Sequence, residues 1–499
     1  MKKVAVYFCC LIGCMWMFTV PAFSAGNQLG DPPAFPLTPL LEEKPEDLHA
    51  DAWVMTEALS VGPQSLEVSR DFYYSHYIGS EGAAMNWTGD HAICNAGTTS
   101  QAYKDALLLE LNYFRAMAGV PAEVTFSSEY NAKAQEAALM MSVNGQLSHA
   151  APASWTCYST DGGEAAGSSN LMMGYLSLSH NIAGYIKDTG SSNYFIGHRR
   201  WILYPQTQLM GTGDVPGDAP TYQWAANALW VFDSHTWDPR PATREEYVSW
   251  PPPGYVPYQV VYPRWSFAYD DADFGSATVT MTQDGSSVSV TMETYQGGGY
   301  GENTLVWRPF NMADSAAWPT EHLVIYEVTI SNVMISGSPR SFTYSVTIFD
   351  PAEPLPSPEI DIKGNGSTIA DGDTTPSTTD HTSFGTTPVG TPVSRTYTIA
   401  NMGDENLTLT LPVTLTGEDC ANFDITDQPA ISIVAAGSST AFTVQYSPTD
   451  IGGDSDTCTV TVANDDSDKN PYDFDIQGAE GSLVGKRTVC LPAIYLLLL

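Results

Sequence analysis

The chain has 499 residues, of which 43% are hydrophobic and 15% charged, a composition that is typical of folded proteins and excludes a disordered chain. Its length predicts more than one domain, because single domains usually hold about 100–200 residues. Its 20 basic residues stand against 56 acidic residues, and the resulting formal net charge of -36 excludes nucleic acid and anionic lipid surfaces as partners.

The first 25 residues have the pattern of a secretory signal peptide. Two lysines precede an apolar stretch that ends at Val20, and small residues surround the expected cleavage site after Ser24 or Ala25. Cys14 completes a bacterial lipoprotein motif, so a lipidated N-terminus is the alternative, although the apolar stretch continues past it. Either pattern predicts a secreted or cell-surface protein.

Helical patterns follow an irregular lead-in. Residues 26–69 are rich in proline, leucine and glutamate without a sustained period, which predicts an extended segment that packs on something larger. Apolar residues at helical spacing then stop at Gly119, and a second helix, with a face of small residues, is capped by Ser127 or Ser128 and ends at Gly145. We expect its alanine-rich face to pack closely against a sheet or helix.

Strand patterns dominate the second half of the chain. A predicted boundary near 238–250 ends at Trp250, which with the three prolines after it suggests a chain break. Residues 250–352 alternate with period 2, with a hairpin turn at Asp284-Gly285, and predict an antiparallel β-sandwich. Residues 353–358 are a proline-spaced linker, and residues 359–482 alternate again and predict a second sandwich. Residues 483–499 form an apolar tail that is shorter than the about 20 residues a transmembrane helix needs, so we expect no transmembrane span in the mature chain.

Cysteine positions predict two disulfide bonds in an oxidising compartment. Cys94 pairs with Cys157 and Cys420 with Cys458, since each pair lies within one predicted domain, and Cys490 is then the odd cysteine. The alternative is that some of these are buried free thiols, because spacing alone does not bring two Cβ atoms together.

Three motifs occur in order within residues 70–240. They are Leu111-Asn112-Tyr113-Phe114-Arg115, Leu147-Ser148-His149 and Gly197-His198-Arg199-Arg200-Trp201-Ile202-Leu203. With these motifs this part of the chain resembles the CAP superfamily of cysteine-rich secretory, antigen 5 and pathogenesis-related proteins. The resemblance implies an α-β-α sandwich in which His149 and His198 face each other in a central cleft.

The last predicted sandwich has a resemblance of its own. Residues 359–482 contain Arg395-Thr396-Tyr397-Thr398-Ile399-Ala400-Asn401-Met402-Gly403 and are similar to immunoglobulin-like modules of bacterial surface proteins related to Hydin. That similarity implies display rather than catalysis. The predicted fold is therefore multidomain, with an α+β CAP domain followed by two all-β, immunoglobulin-like sandwiches.

The CAP resemblance implies that two acidic residues accompany the cleft histidines. Such a set can hold a divalent metal, here Zn²⁺, or keep imidazoles poised near neutral pH. Asp188 follows Tyr185 at the family's spacing and supplies one carboxylate, whereas Ser169 stands where the family has the other acid. Glu164 is the nearby candidate to replace it. The alternative for His149 is a histidine that only stabilises the fold.

Other charged residues have simpler interpretations. Arg199 and Arg200 are expected to stabilise the fold through nearby carboxylates or helix C-termini rather than to bind a ligand. The acidic turns Asp270-Asp271-Ala272-Asp273 and Asp371-Gly372-Asp373 are candidates for Ca²⁺, with solvated loop acids as the alternative.

Three functions remain open at this point. The first is a binding protein without catalytic activity, whose CAP domain takes a small apolar or lipid-like ligand or an envelope or extracellular protein, and which needs no cofactor. The second is a metal-dependent hydrolase or protease that uses His149, His198 and Asp188. The third is a structural exoprotein. We expect binding, because the acidic set is incomplete and the chain has neither a Gly-x-Ser-x-Gly nor a His-Glu-x-x-His motif.

Overall fold

The computed structural model describes residues 28–34, 59–175, 181–449 and 455–481. The chain forms two compact units, residues 1–353 and 354–499, and each is treated by itself. The predicted signal peptide, the lipoprotein motif, Cys490 and the apolar tail lie outside the described residues. Within the described ranges, no helix is both long and apolar enough to cross a membrane.

The first unit begins with a mixed α/β layer structure. Its described helices are α1 (Leu66–Phe72), α2 (Gln101–Ala118), α3 (Ser128–Asn144), α4 (Thr160–Ser168), α5 (Asn181–Lys187) and α6 (Gly197–Ile202). Its strands are β1 (Gln28–Leu29), β2 (Thr125–Phe126), β3 (Ser169–Tyr175), β4 (Leu209–Val215) and β5 (Trp224–Trp230). They form one sheet in the order β1-β3-β5-β4-β2, antiparallel except for the β2–β4 pair.

Helices cover both faces of this sheet because successive strand residues point to opposite sides. One face packs on α3 and α4 through Ala134, Ala137, Met141, Ala165, Leu171, Ala226 and Ala228. The opposite face packs on α2, α5 and α6 through Leu111, Phe114, Met172, Tyr185, Trp201 and Leu229. The arrangement is the α-β-α sandwich that the CAP resemblance implied.

Helix α3 begins where the sequence predicted, and both α2 and α3 end where it predicted. The Ser127 hydroxyl accepts from the amide of Tyr130 at the start of α3. Gly119 and Gly145 end the two helices in the left-handed conformation, with φ of 77° and 61°. The alanine face of α3 also packs closely on β4, since a Cβ at Gly213 would lie 2.1 Å from the carbonyl carbon of Ala134.

The rest of the first unit is a β-sandwich. Its strands are β6 (Val248–Trp250), β7 (Gly254–Pro257), β8 (Trp265–Ala268), β9 (Thr278–Gln283), β10 (Ser286–Val288), β11 (Val290–Met292), β12 (Thr304–Pro309), β13 (Val324–Ile335) and β14 (Ser338–Phe349). They form two sheets in the orders β10-β9-β13-β14-β7 and β11-β12-β8-β6. The predicted hairpin turn at Asp284 and Gly285 joins β9 to β10.

The sandwich and the helical part share one apolar core. Trp250, which the sequence suggested as part of a chain break, is fully buried and its ring lies 5.1 Å from that of Phe114 in α2. Both residues belong to a cluster that reaches Ile348. The boundary near 238–250 stays a prediction, and the structure places both of its sides in one compact unit.

The second unit is an all-β sandwich. Its strands are β15 (Ile360–Gly364), β16 (Ser367–Ile369), β17 (Ser383–Pro388), β18 (Val393–Asn401), β19 (Leu407–Thr416), β20 (Phe423–Asp427), β21 (Ile433–Val434), β22 (Ser439–Tyr446), β23 (Ser455–Asn464) and β24 (Tyr472–Gly481). They form two sheets in the orders β16-β15-β18-β22-β20 and β17-β24-β23-β19-β21. The fold class is multidomain, as the sequence predicted.

Both predicted disulfide bonds are present. Cys94 is bonded to Cys157 in the first unit, and Cys420 is bonded to Cys458 in the second. The two bonded cysteines are 63 residues apart in the first unit and 38 residues apart in the second.

Candidate functional site

His198 and Asp188 form a buried pair on neighbouring helices. Asp188 follows α5 in the left-handed region, with φ of 54°, and this turn points its carboxylate at the first turn of α6. Oδ1 lies 2.8 Å from His198 Nδ1, and Oδ2 accepts from the main-chain amides of His198 and Arg199 at 2.9 and 3.3 Å. The carboxylate therefore both orients the imidazole and caps the helix.

The other ring nitrogen of His198 faces no hydrogen-bond partner. Among the described residues, His198 Nε2 and Ser169 Oγ are both buried and both without a partner. They are therefore not hydrogen-bonded to each other. Although His198 has the orienting carboxylate of a catalytic triad, Ser169 is not placed as its nucleophile.

His149 uses both ring nitrogens to contact main-chain carbonyls. Nδ1 lies 2.6 Å from the oxygen of Ala166, and Nε2 lies 2.5 Å from the oxygen of Asp31. Both partners are carbonyl oxygens of the protein. Each ring nitrogen therefore points at a main-chain oxygen, and neither is directed at a metal site in this arrangement.

Glu164 does not accompany the histidines. Its carboxylate lies 3.1 Å from Lys133 Nζ and its side chain is half exposed. Lys133 also pairs with Glu129 one turn earlier on α3. The acidic residue that the sequence proposed for the cleft thus belongs to a surface ion-pair network between α3 and α4.

The donor set does not fit a zinc site in this arrangement. Structural zinc takes four protein ligands and catalytic zinc three, and His149, His198 and Asp188 do not form such a group. Within the described ranges, the metal-compatible group of three is Glu359, Asp466 and Asp468 in the second unit.

The two predicted calcium loops use their carboxylates in local turns. Asp273 Oδ1 accepts from the amide of Gly275 at 2.8 Å. Asp373 Oδ1 accepts from the amide and hydroxyl of Thr375 at 2.9 and 2.6 Å. Solvated loop acids make contacts of this kind, and Ca²⁺ binding at the two turns stays a prediction.

A polar network runs from the cleft pair into the core. The Tyr185 hydroxyl lies 2.7 Å from Asn227 Oδ1 and 3.0 Å from the carbonyl oxygen of Asn170, and its one hydrogen is shared between these two acceptors. The Asn227 amide nitrogen in turn donates to Asp214. Asn170 donates to the carbonyl oxygen of His198 at 3.2 Å. Burial raises the pKa of Asp214 to about 6, against hydrogen bonds that lower it. The sequence gave no local signal for this network.

Glu110 is a second buried carboxyl group that sequence reasoning missed. It lies on α2, directly before the Leu111 motif, and its Oε1 accepts from the amide of Ala183 at 3.0 Å. Burial raises the pKa of Glu110 to about 7. Helical spacing puts Glu110 beside Leu107 and Phe114 on the buried face of α2, and its contact with α5 shows that the carboxyl group is enclosed.

Arg199 and Arg200 bind main-chain carbonyls rather than the predicted carboxylates. Arg199 donates to the oxygens of Ile186 and Arg264 at 2.6 and 2.8 Å. Arg200 donates to the oxygens of Gln296 and Gly297 at 3.1 and 3.3 Å. Both guanidinium groups stabilise the junction of α6 with the β-sandwich of the same unit. Arg199 also contacts the last turn of α5, so one of its partners is a helix C-terminus, as the sequence suggested.

Part of the N-terminal lead-in lies on this site. The amide of Gly30 donates to the oxygen of Leu171 at 3.0 Å and extends the pairing of β1 with β3. The next residues contact the two motif side chains, since the oxygen of Asp31 faces His149 Nε2 and Trp201 Nε1 donates to the oxygen of Pro33 at 2.8 Å. The N-terminal lead-in, in which the sequence indicated no candidate functional residue, thus contacts the cleft residues directly.

Family comparisons agree with the fold of both units. Residues 108–233 match the cysteine-rich secretory protein (CAP) family, and residues 377–479 match the HYDIN/CFA65/VesB-like, Ig-like domain. The chain therefore contains a CAP domain followed by a Hydin-like immunoglobulin-like domain, as the motifs indicated. No curated protein matches the chain.

Similarities to solved structures are weak. A Porphyromonas gingivalis W83 protein of unknown function is 13% identical, with 43% of this chain and 89% of that chain covered and a TM-score of 0.19. The Vibrio cholerae VesB protease is 11% identical, with 41% and 63% covered and a TM-score of 0.16. The secreted V. cholerae serine protease VesC is 11% identical, with 52% of each chain covered and a TM-score of 0.18. TM-scores this low carry no argument about this chain's activity.

Proposed function

We propose that the chain is a secreted or cell-surface binding protein without catalytic activity, whose CAP domain binds a protein ligand. Its domain composition supports the secreted or cell-surface location, because a CAP domain and a Hydin-like domain fit such a protein. The observation that supports binding over catalysis is the contact pattern of His149, whose two ring nitrogens face main-chain carbonyls, one in helix α4 and one in the N-terminal segment. A side chain used in this way recognises polypeptide backbone.

A protein ligand fits better than a lipid-like one. Pockets for small apolar ligands usually have volumes of about 300–1,000 Å³. The cavity between α6 and strands β6, β8 and β12 has a volume of about 20 Å³, which is room for about one water molecule. This cavity is too small for an acyl chain. A second, open pocket of about 400 Å³ is lined by charged side chains that include Arg240, Glu245 and Asp270, and such a lining does not suit an apolar ligand.

The hydrolase alternative has one observation in its favour. The His198–Asp188 pair has the geometry of a base and its orienting carboxylate, and His198 Nε2 is unpartnered. What it lacks is a nucleophile, because Ser169 is not bonded to it, and a second acid, because Glu164 is paired with Lys133.

Incubation with a broad peptide and ester library separates the two functions. We expect the wild-type chain, His149→Gln and His198→Gln to give the same background hydrolysis. Cleavage by the wild type that disappears in His198→Gln would contradict the proposed function and establish the hydrolase. Binding is measured in parallel by selecting peptides from a random library on the immobilised full chain, with enrichment expected.

A further inference from the structure

The contacts of residues 28–33 define a slot on the CAP domain. We call it the proline slot and define it by the edge of β3 at Leu171 together with His149, Gly197 and Trp201. Pro32 and Pro33 are buried in it, whereas Asp31 before them and Ala34 after them are exposed. The slot therefore encloses two consecutive prolines and leaves their neighbours in solvent.

Next to the edge of β3, the hydrogen-bonding groups of the slot match a proline pair. Two side chains point a ring nitrogen at the bound segment. His149 Nε2 faces the oxygen of Asp31, and Trp201 Nε1 donates to the oxygen of Pro33. Indole is a donor only, and the imidazole donates here because its partner is a carbonyl. Proline has a carbonyl acceptor but no amide donor, so an X-Pro-Pro backbone is buried here without an unsatisfied N–H group.

The shape of the slot also selects proline. A Cβ atom at Gly197 would lie 2.3 Å from Cγ and 2.6 Å from Cβ of Pro32, so the pyrrolidine ring occupies the space that a larger residue at position 197 would fill. Upstream, Gly30 lies against Leu147 and Leu171, where an added Cβ would be 3.5 and 3.6 Å from side-chain atoms. Pro32 is thus held by close contact with main chain on one side.

We propose that the proline slot is a binding site for extended polypeptide segments of a partner protein that carry two adjacent prolines, and that residues 28–33 fill it in cis. This inference rests on the proposed function and names its ligand class. Recognition combines addition of a strand to the edge of β3 with docking of a proline pair on donors, two established modes of peptide binding.

The N-terminal segment of the same chain lowers the apparent affinity of the proline slot for a partner, because both compete for it. A tethered segment has an effective concentration in the millimolar range, so a free ligand has to compete with it. If the segment fills the slot 99% of the time, the apparent affinity of a partner is about 100-fold weaker than its intrinsic affinity. Weakening the cis segment should therefore strengthen binding in trans.

The test uses the full chain and a fluorescent peptide with the sequence of residues 28–34. Pro32→Asp releases the cis segment, because a carboxylate in place of a buried ring costs desolvation. We expect the peptide to bind this variant at least 10-fold more tightly than it binds the wild type, measured by fluorescence anisotropy. Limited proteolysis of the N-terminal segment verifies its release, and tryptophan fluorescence verifies the fold.

Two further variants locate the binding. Adding Gly197→Ala to Pro32→Asp should abolish peptide binding, since the new Cβ fills the position of Pro32. Adding Trp201→Phe instead keeps an aromatic ring but removes the donor, and it should weaken binding about 5-fold to 10-fold. A peptide with aspartate at the position of Pro32 should not bind.

The inference is overturned if the segment is released in Pro32→Asp and the peptide still does not bind, or if it binds equally after Gly197→Ala. In that case, enrichment of peptides without a proline pair from the random library would leave the proposed function standing. A third outcome is that the slot binds only the N-terminal segment of a second copy of this chain. Light scattering would then show dimers of Pro32→Asp with the wild type. That result would contradict the partner protein and put a second copy of the chain in its place.

Discussion

His198 Nδ1 lies 2.8 Å from Asp188 Oδ1, and both side chains are fully buried. The same carboxylate accepts two main-chain amides at the start of α6. Since α6 carries Gly197 and Trp201, this pair holds the residues of the proline slot in place. The hydrogen bonds given for the pair go to each other and to α6, and it acts on the slot through position.

Asp188→Asn should destabilise the first unit by about 2 kcal/mol, because an amide nitrogen then faces a buried donor and one hydrogen bond is lost. Urea unfolding followed by tryptophan fluorescence measures this loss. All twelve tryptophans precede residue 354, so the signal reports the first unit alone. The control is Asp71→Asn, at an exposed position, which should have almost no effect. Equal stability of the two variants would contradict the structural role of Asp188.

Glu110→Gln should stabilise the first unit at alkaline pH. The pKa of Glu110 is raised to about 7 in the fold against 4.5 ordinarily, so its contribution to stability is present below pH 4.5 and is lost as pH rises through 7. Glutamine keeps the acceptor for Ala183 and removes the titration. We expect equal stability at pH 4 and a gain of about 3 kcal/mol at pH 8.

The matched control for this prediction is Glu67→Gln, at an exposed position of α1. It should leave the difference between pH 4 and pH 8 unchanged. If Glu110→Gln is no more stable than the wild type at pH 8, Glu110 is not enclosed as the contact with α5 indicates.

Gly213→Ala should destabilise the first unit by about 3 kcal/mol, since overpacking against main chain cannot relax through a rotamer change. The added Cβ would lie 2.1 Å from the carbonyl carbon of Ala134 in α3. Gly62→Ala is the control, because a Cβ at that position meets nothing within 4 Å. A small effect of Gly213→Ala in urea unfolding would show that α3 does not pack directly on β4.

Zinc should not raise the unfolding midpoint of the full chain. His149 has no free nitrogen in this arrangement, so the histidine pair offers a metal only Nε2 of His198. Thermal unfolding with and without zinc measures this, with His149→Ala and His198→Ala as comparison variants. A stabilisation by zinc that both variants abolish would contradict this arrangement of the histidines.

The elements that the sequence predicted well are those with local signals. Helix α3 combines a serine cap with a terminal glycine, and β9 and β10 meet at an Asp284-Gly285 turn. Both disulfide pairs followed from their positions within predicted domains. In these cases the residues that determine the element lie next to it in the chain.

The contacts that the sequence missed depend on residues that are distant in the chain. Strand β1 has only two residues and exists because β3 offers an open edge more than a hundred residues later. Glu110 shares the buried face of α2 with Leu107, but the partner of its carboxyl group is the amide of Ala183, which lies 73 residues later in the chain. Trp250 precedes three prolines that suggested a chain break, yet its ring packs on α2. Such burial is decided by tertiary packing.

Hydrogen exchange of residues 28–34 in the full chain tests the central claim most directly. If the N-terminal segment occupies the proline slot, the amide of Gly30, which donates to Leu171, should exchange far more slowly than in the free peptide. Gly197→Ala should return it to the rate of the free peptide. Exchange of the wild-type segment at the free-peptide rate would contradict the account.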